Sequence, residues 1–180
     1  MHIIEPGSEK DKSSIKLETM KRRWIPNEQR KRRSPESMLA AKDMLLQSHP
    51  EWELRSLSSA YNCMGMVFAS RRTWVEPDHF EMIVEDDGYV QRTQFAEAKP
   101  GDIAVYRSKK EANVIHVGVV LSIKPQLGSG ETDLIVLSQF GADGEYLHKA
   151  GDLPEGFLIS GSQPQIEVWT EANTYEPDRS

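Results

Sequence analysis

The run from Asn113 to Ile123 constrains this chain most, because it is the most β-rich stretch in the sequence. Its valines and isoleucines suit a pleated, half-buried surface. Strand alternation puts Ile115, Val117, Val119 and Leu121 on one face and His116, Gly118, Val120 and Ser122 on the other. Glycine inside a strand marks a place where another element approaches closely, so the imidazole of His116 shares its face with a tight contact. Leu134 to Phe140 is the next β-rich segment. Lys99-Pro100-Gly101-Asp102 is a turn that launches a strand over Ile103 to Arg107, and Ile166 to Trp169 reads as a final edge strand. Gly128-Ser129-Gly130 is a loop between the two richest segments, and Gly151 to Pro164 is dense in turn residues.

Helical signals precede these strands. Ser34-Pro35-Glu36 supplies a hydroxyl cap, a proline for the first turn and an acid at the positive pole, and His49-Pro50 ends the run, which predicts a helix from Pro35 to about Gln47. A second helix is expected from about Asn62 to Ser70, with Arg71 and Arg72 at its negative pole. Phe80 to Val84 closes the helical layer. Helices first and antiparallel strands afterwards define an α+β domain with its helices packed on one sheet.

Charge divides the chain. Residues 1–33 hold ten Lys and Arg against five Asp and Glu, ending in Arg30-Lys31-Arg32-Arg33, and the rest is acidic, for a net charge of -6. Residues 1–33 read as a flexible basic extension with Trp24 and Ile25 docking on the body, residues 34–170 as the folded domain and residues 171–180 as a polar tail. An acidic body disfavours nucleic acid as the main ligand, and the basic extension suits a protein partner. No apolar run reaches the ~20 residues of a membrane span, and no secretion signal opens the chain, so the expected location is cytoplasmic unless a non-signal route exports it.

One cysteine, Cys63, rules out an internal disulfide framework and a multi-cysteine zinc site. Small and polar residues precede it and a mostly apolar run follows, placing the thiol where a loop becomes a helix, a position that favours a thiolate. Taken alone, a single cysteine is more often a small, inert core side chain. Histidine is the base a reactive thiol needs, and His116 is the candidate. A third polar group should orient that imidazole. Ser138 and Gln139 close the second β-rich segment on opposite faces, so one of them can do it, with Gln139 favoured by its reach and His148 as the other alternative. The histidines at 2, 49, 79, 116 and 148 show no metal-ligand spacing, and no phosphate-cradling loop appears, so neither metal nor cofactor is expected.

These residues carry a resemblance. Asn62-Cys63-Met64-Gly65-Met66-Val67 resembles the Asp-Cys-Ser-Gly-Leu-Val motif of the NlpC-type papain-like cysteine peptidases. Pro100-Gly101-Asp102-Ile103 resembles their Pro-Gly-Asp-Leu turn, and His116-Val117-Gly118-Val119-Val120 their His-Val-Gly-Ile segment. The cysteine- and histidine-dependent amidohydrolases share this order. The resemblance covers Tyr61 to Phe140 and implies a papain-like half-barrel, Cys63 as nucleophile, His116 as base, Gln139 near the polar third position, and Tyr61 and Asn62 on the substrate side. Two features depart from the family: asparagine stands where the family has the aspartate that contacts a substrate amine, and its Tyr-x-Trp-Gly-Gly segment is absent. The implied activity is a thiol hydrolase or acyltransferase on a peptide or other amide or acyl substrate. The competing expectations are a papain-like domain that binds or regulates without turnover, and an effector delivered to other cells.

Overall fold

The computed structural model describes residues 13–125, 132–157 and 163–172. Helix α1 (Pro35–Ser48) starts as the sequence predicts: the Ser34 hydroxyl accepts from the Ser37 N–H, Pro35 occupies the first turn, and the chain leaves the helix at His49. After a short strand β1 (Glu53–Ser56) come α2 (Cys63–Phe68), α3 (Phe80–Asp86) and β2 (Tyr89–Gln91). The strands β3 (Ile103–Arg107), β4 (Val114–Pro125), β5 (Thr132–Gln139), β6 (Glu145–Lys149) and β7 (Gln165–Glu171) follow. All seven form one sheet in the order β1-β6-β5-β4-β3-β7-β2, and every neighbouring pair is antiparallel. The architecture is therefore α+β. No helix among the described residues is long and apolar enough to cross a membrane.

The sheet has an apolar cluster on each face. Ile103 and Val105 of β3 join one, with Cys63, Met64, Phe80, Ile83 and Val117, so this face is covered by α2 and α3. Ala104 and Tyr106 join the other, with Trp52, Val120, Val136, Phe140 and Tyr146, against which Leu45 and Leu46 of α1 pack. Strict alternation along β3 makes these opposite faces of one sheet.

Several expectations change. Residues 13–33 are not a loose arm. Leu17 is buried, and of the two residues expected to dock Ile25 is buried while Trp24 stays exposed and pairs with Glu18 as a short antiparallel bridge. The Thr19 hydroxyl donates to the buried Asp86, which Arg23 also engages, and Glu28 bridges to Trp74. Apolar residues spaced among the charges pin the segment, while the charges find carboxylates on the body. Residues 1–12 of the expected extension lie outside the described residues, as do the Gly128–Gly130 loop and most of the polar tail. Strand β7 is not an edge: β2 pairs outside it, so β1 and β2 are the edges. The four residues after Trp52 form the edge strand β1.

Candidate functional site

Helix α2 begins at Cys63 because Asn62 caps it. The Asn62 Oδ1 accepts from the Gly65 N–H at 2.9 Å and the Val75 N–H at 3.2 Å, and its Nδ2 donates to the Val75 carbonyl at 2.8 Å. Aspartate could make the cap but not the donation, which gives asparagine a structural reason to stand there. Gly65 is forced by packing: a Cβ would lie 1.8 Å from the Thr73 carbonyl oxygen. Tyr61 is buried as well, and its hydroxyl donates to Glu145 at 2.8 Å. Both residues expected on the substrate side thus have internal partners.

Cys63 is 6 % exposed, and burial pushes its thiol up to about 11. The backbone N–H groups of Val117 and Met64 oppose that shift, and the negative charge of Glu76 adds to it. Desolvation wins over the helix terminus, in keeping with a helix of six residues.

His116 does not meet this thiol. Val117 pairs with Val105, and His116 pairs with Tyr106. Paired residues project from the same face, so Val117 lies on the α2 side with Cys63, and His116 lies on the α1 side. There its ring stacks on Phe140 with centroids 4.9 Å apart and tilts against Tyr106 at 5.3 Å. The ring is 1 % exposed, and its pKa is held down at about 3, first by burial and then by the neighbouring His148. The expected alternation holds from His116 to Val120 and fails at both ends. Ile115 is an extra residue opposite the Tyr106–Arg107 step and packs on the His116 side, and Leu121 is a second extra residue that ends 42 % exposed. Each is a bulge, which resets the face of everything beyond it.

The three candidates for the orienting group separate in the same way. Gln139 falls on the face opposite Ser138 and His116, where its Nε2 donates to the carbonyls of Ser58 and Gly141 at 2.8 and 2.9 Å. It therefore braces the loop that leads to Cys63 and does not orient His116. Ser138 and His148 share the His116 face but bond each other: the Ser138 hydroxyl donates to His148 Nε2 at 2.9 Å, and Nδ1–H donates to the Lys149 carbonyl at 2.8 Å. Those two bonds set the tautomer of a neutral ring, and burial holds its pKa down at about 4. Gly118 makes room for this pair, since a Cβ there would lie 2.4 Å from the Ser138 hydroxyl.

Residues that sequence reasoning passed over complete the two sides. On the side of the loop leading to Cys63, the buried Glu145 accepts from Arg71 Nε at 2.6 Å as well as from Tyr61. An acid alternating with Leu147 inside a strand that also carries Tyr146 and His148 was the available signal. A groove of about 390 Å³ runs between the N-terminal segment and the loop after α2, lined by Asn27, Arg30, Trp74, Glu76 and His79. Arg30 lies over the Trp74 ring at 4.3 Å and pairs with Glu76 at 2.7 Å. As folded, the site offers a protonated thiol and a neutral imidazole on opposite faces, and a polar groove whose lining includes Glu76, the carboxylate that acts on the thiol. No protein-family model, curated protein or solved structure matches this chain.

Proposed function

We propose that this chain is a divergent papain-like domain that binds a polypeptide partner without turning it over at Cys63. The separation of Cys63 and His116 onto opposite faces of the sheet carries the reading. The ordered Cys63, Pro100-Gly101-Asp102 and His116 motifs and the packing of the cysteine helix on an antiparallel sheet support the papain-like scaffold. The groove beside Trp74 has features of a peptide site: an indole, the Arg30 guanidinium, the carboxylates of Glu28 and Glu76 and the His79 imidazole line it. The test is the rate of Cys63 alkylation by iodoacetamide against pH, in the native chain and in His116→Ala. The binding reading expects slow reaction at pH 7, a rise only towards pH 11, and the same profile in the variant.

A hydrolase reading has one observation in its favour. The Ile115 bulge sits next to His116, and moving it past the histidine would turn the imidazole to the face of Cys63. In that state the thiolate would be held by an imidazolium, alkylation would persist well below pH 7, and His116→Ala would abolish it. That outcome would replace binding by amide or acyl chemistry through Cys63.

A further inference from the structure

On the side of the sheet opposite the cysteine, where α1 ends, three ligand-bearing side chains converge. His49 lies just past the last turn of α1, Glu51 follows two residues later, and Asp152 arrives from the loop after β6. One ligand atom from each, an imidazole nitrogen and two carboxylate oxygens, lies within 4.8 Å of the other two. From this convergence and the ordering of the ligands described below, we infer that His49, Glu51 and Asp152 form a binding site for a first-row divalent transition cation such as Zn²⁺ or Co²⁺.

The set is not a simple acidic patch. It mixes one imidazole with two carboxylates, and the imidazole favours a transition ion over Ca²⁺ or Mg²⁺, which prefer oxygen throughout. His49 Nδ1 stands 3.3 Å from Asp152 Oδ1, close to the spacing of about 3 to 3.5 Å that neighbouring ligands take around an ion with bonds near 2.0–2.2 Å. A single further residue orders two of the ligands. The Trp52 indole N–H donates to Asp152 Oδ2 at 2.5 Å, and the Trp52 ring stacks on His49 with centroids 4.2 Å apart. The hydrogen bond leaves Asp152 Oδ1 for a metal, and the stack fixes the plane of the His49 ring, in which its ligand nitrogen donates.

The backbone on both sides is held independently of any ion. The Trp52 N–H bonds the His49 carbonyl, the Asp152 N–H bonds the Lys149 carbonyl, and Ala150 and Leu153 on either side of Asp152 are buried in the core. Glu51 is exposed, so the site opens to solvent on that side and has an entry path. Three protein ligands leave coordination positions for water or a further donor. Bound there, the ion clamps the end of α1 to the loop after β6, which links the helix to the sheet face that carries His116. The inference is independent of the binding reading given above.

The probe is Co²⁺, whose visible absorption reports its ligands. Titration of the full chain at pH 7.5 is expected to give a saturable visible band, displaced by Zn²⁺, and a rise in Tm with either ion. Glu51→Gln changes an exposed residue and leaves the fold intact, so a weakening of Co²⁺ binding by ten-fold or more is its expected result. His49→Ala should abolish the band, and Trp52→Phe, which keeps the stack and loses the N–H, should weaken binding about ten-fold. Melting curves without metal establish that each variant is folded. No band at millimolar Co²⁺, or a band unchanged in Glu51→Gln and His49→Ala, overturns the inference.

Discussion

Burial of His116 makes this protein acid-sensitive in a way that a single substitution should remove. In the unfolded chain the imidazole takes a proton below its ordinary value near 6.5, whereas in the fold it stays neutral down to about 3. Between those values the unfolded state binds more protons, so the contribution to stability is complete above pH 6.5, shrinks as pH falls, and is fully lost near pH 3. The difference corresponds to a ceiling of about 5 kcal/mol, and to about 3 kcal/mol by pH 4.5. His116→Phe keeps a ring against Phe140 and Tyr106 and removes the titration. Repacking costs about 1–3 kcal/mol at every pH and cancels when two pH values are compared. His148 titrates in the same direction but is present in both proteins. The assay is urea unfolding followed by tryptophan fluorescence at pH 7.5 and 4.5. The native chain should lose about 3 kcal/mol more than His116→Phe between the two. Equal losses within about 0.5 kcal/mol would refute the reasoning and place His116 in a solvated or charged setting, as a catalytic base beside Cys63 would be.

Two further substitutions probe the elements around these sites. Gly118→Ala drives a methyl into Ser138, Val136 and the Leu137 carbonyl, with the nearest approach at 2.4 Å, and should cost about 3 kcal/mol in chemical denaturation through overpacking and the loss of the Ser138–His148 bond. A cost below about 1 kcal/mol would mean that β4 and β5 are not packed as described. Asn62→Asp retains the cap to Gly65 but strands the buried Val75 carbonyl, so a loss of about 1–3 kcal/mol is expected together with still slower alkylation of Cys63. A gain in stability would show that the position is built for an acid.

Local signals were legible in the sequence wherever neighbouring residues alone decide the outcome. Ser34-Pro35-Glu36 started α1 where the cap chemistry required, the Pro100-Gly101 turn launched β3, and the β-rich runs became the long strands β4 and β5. The antiparallel α+β architecture followed from that order of elements. In the N-terminal segment the docking of Ile25 was legible, but ten cations among the first 33 residues suggest solvation, and the hold of buried Leu17 and of the Asp86 carboxylate on Arg23 depends on tertiary partners.

For the site, alternation along one strand was enough to set faces: His116 with Gly118 and Val120, away from Val117. Which of those faces the cysteine helix covers depends on long-range packing of α2 and on the pairing of β4 with β3, while the bulges at Ile115 and Leu121 turn the residues beyond them to other faces, which no alternation rule contains. The His49–Glu51–Asp152 cluster was hidden for a related reason. Two of its ligands are neighbours in the chain, but the third comes from the loop after β6 and meets them only because α1 ends over the sheet face that strand helps to form.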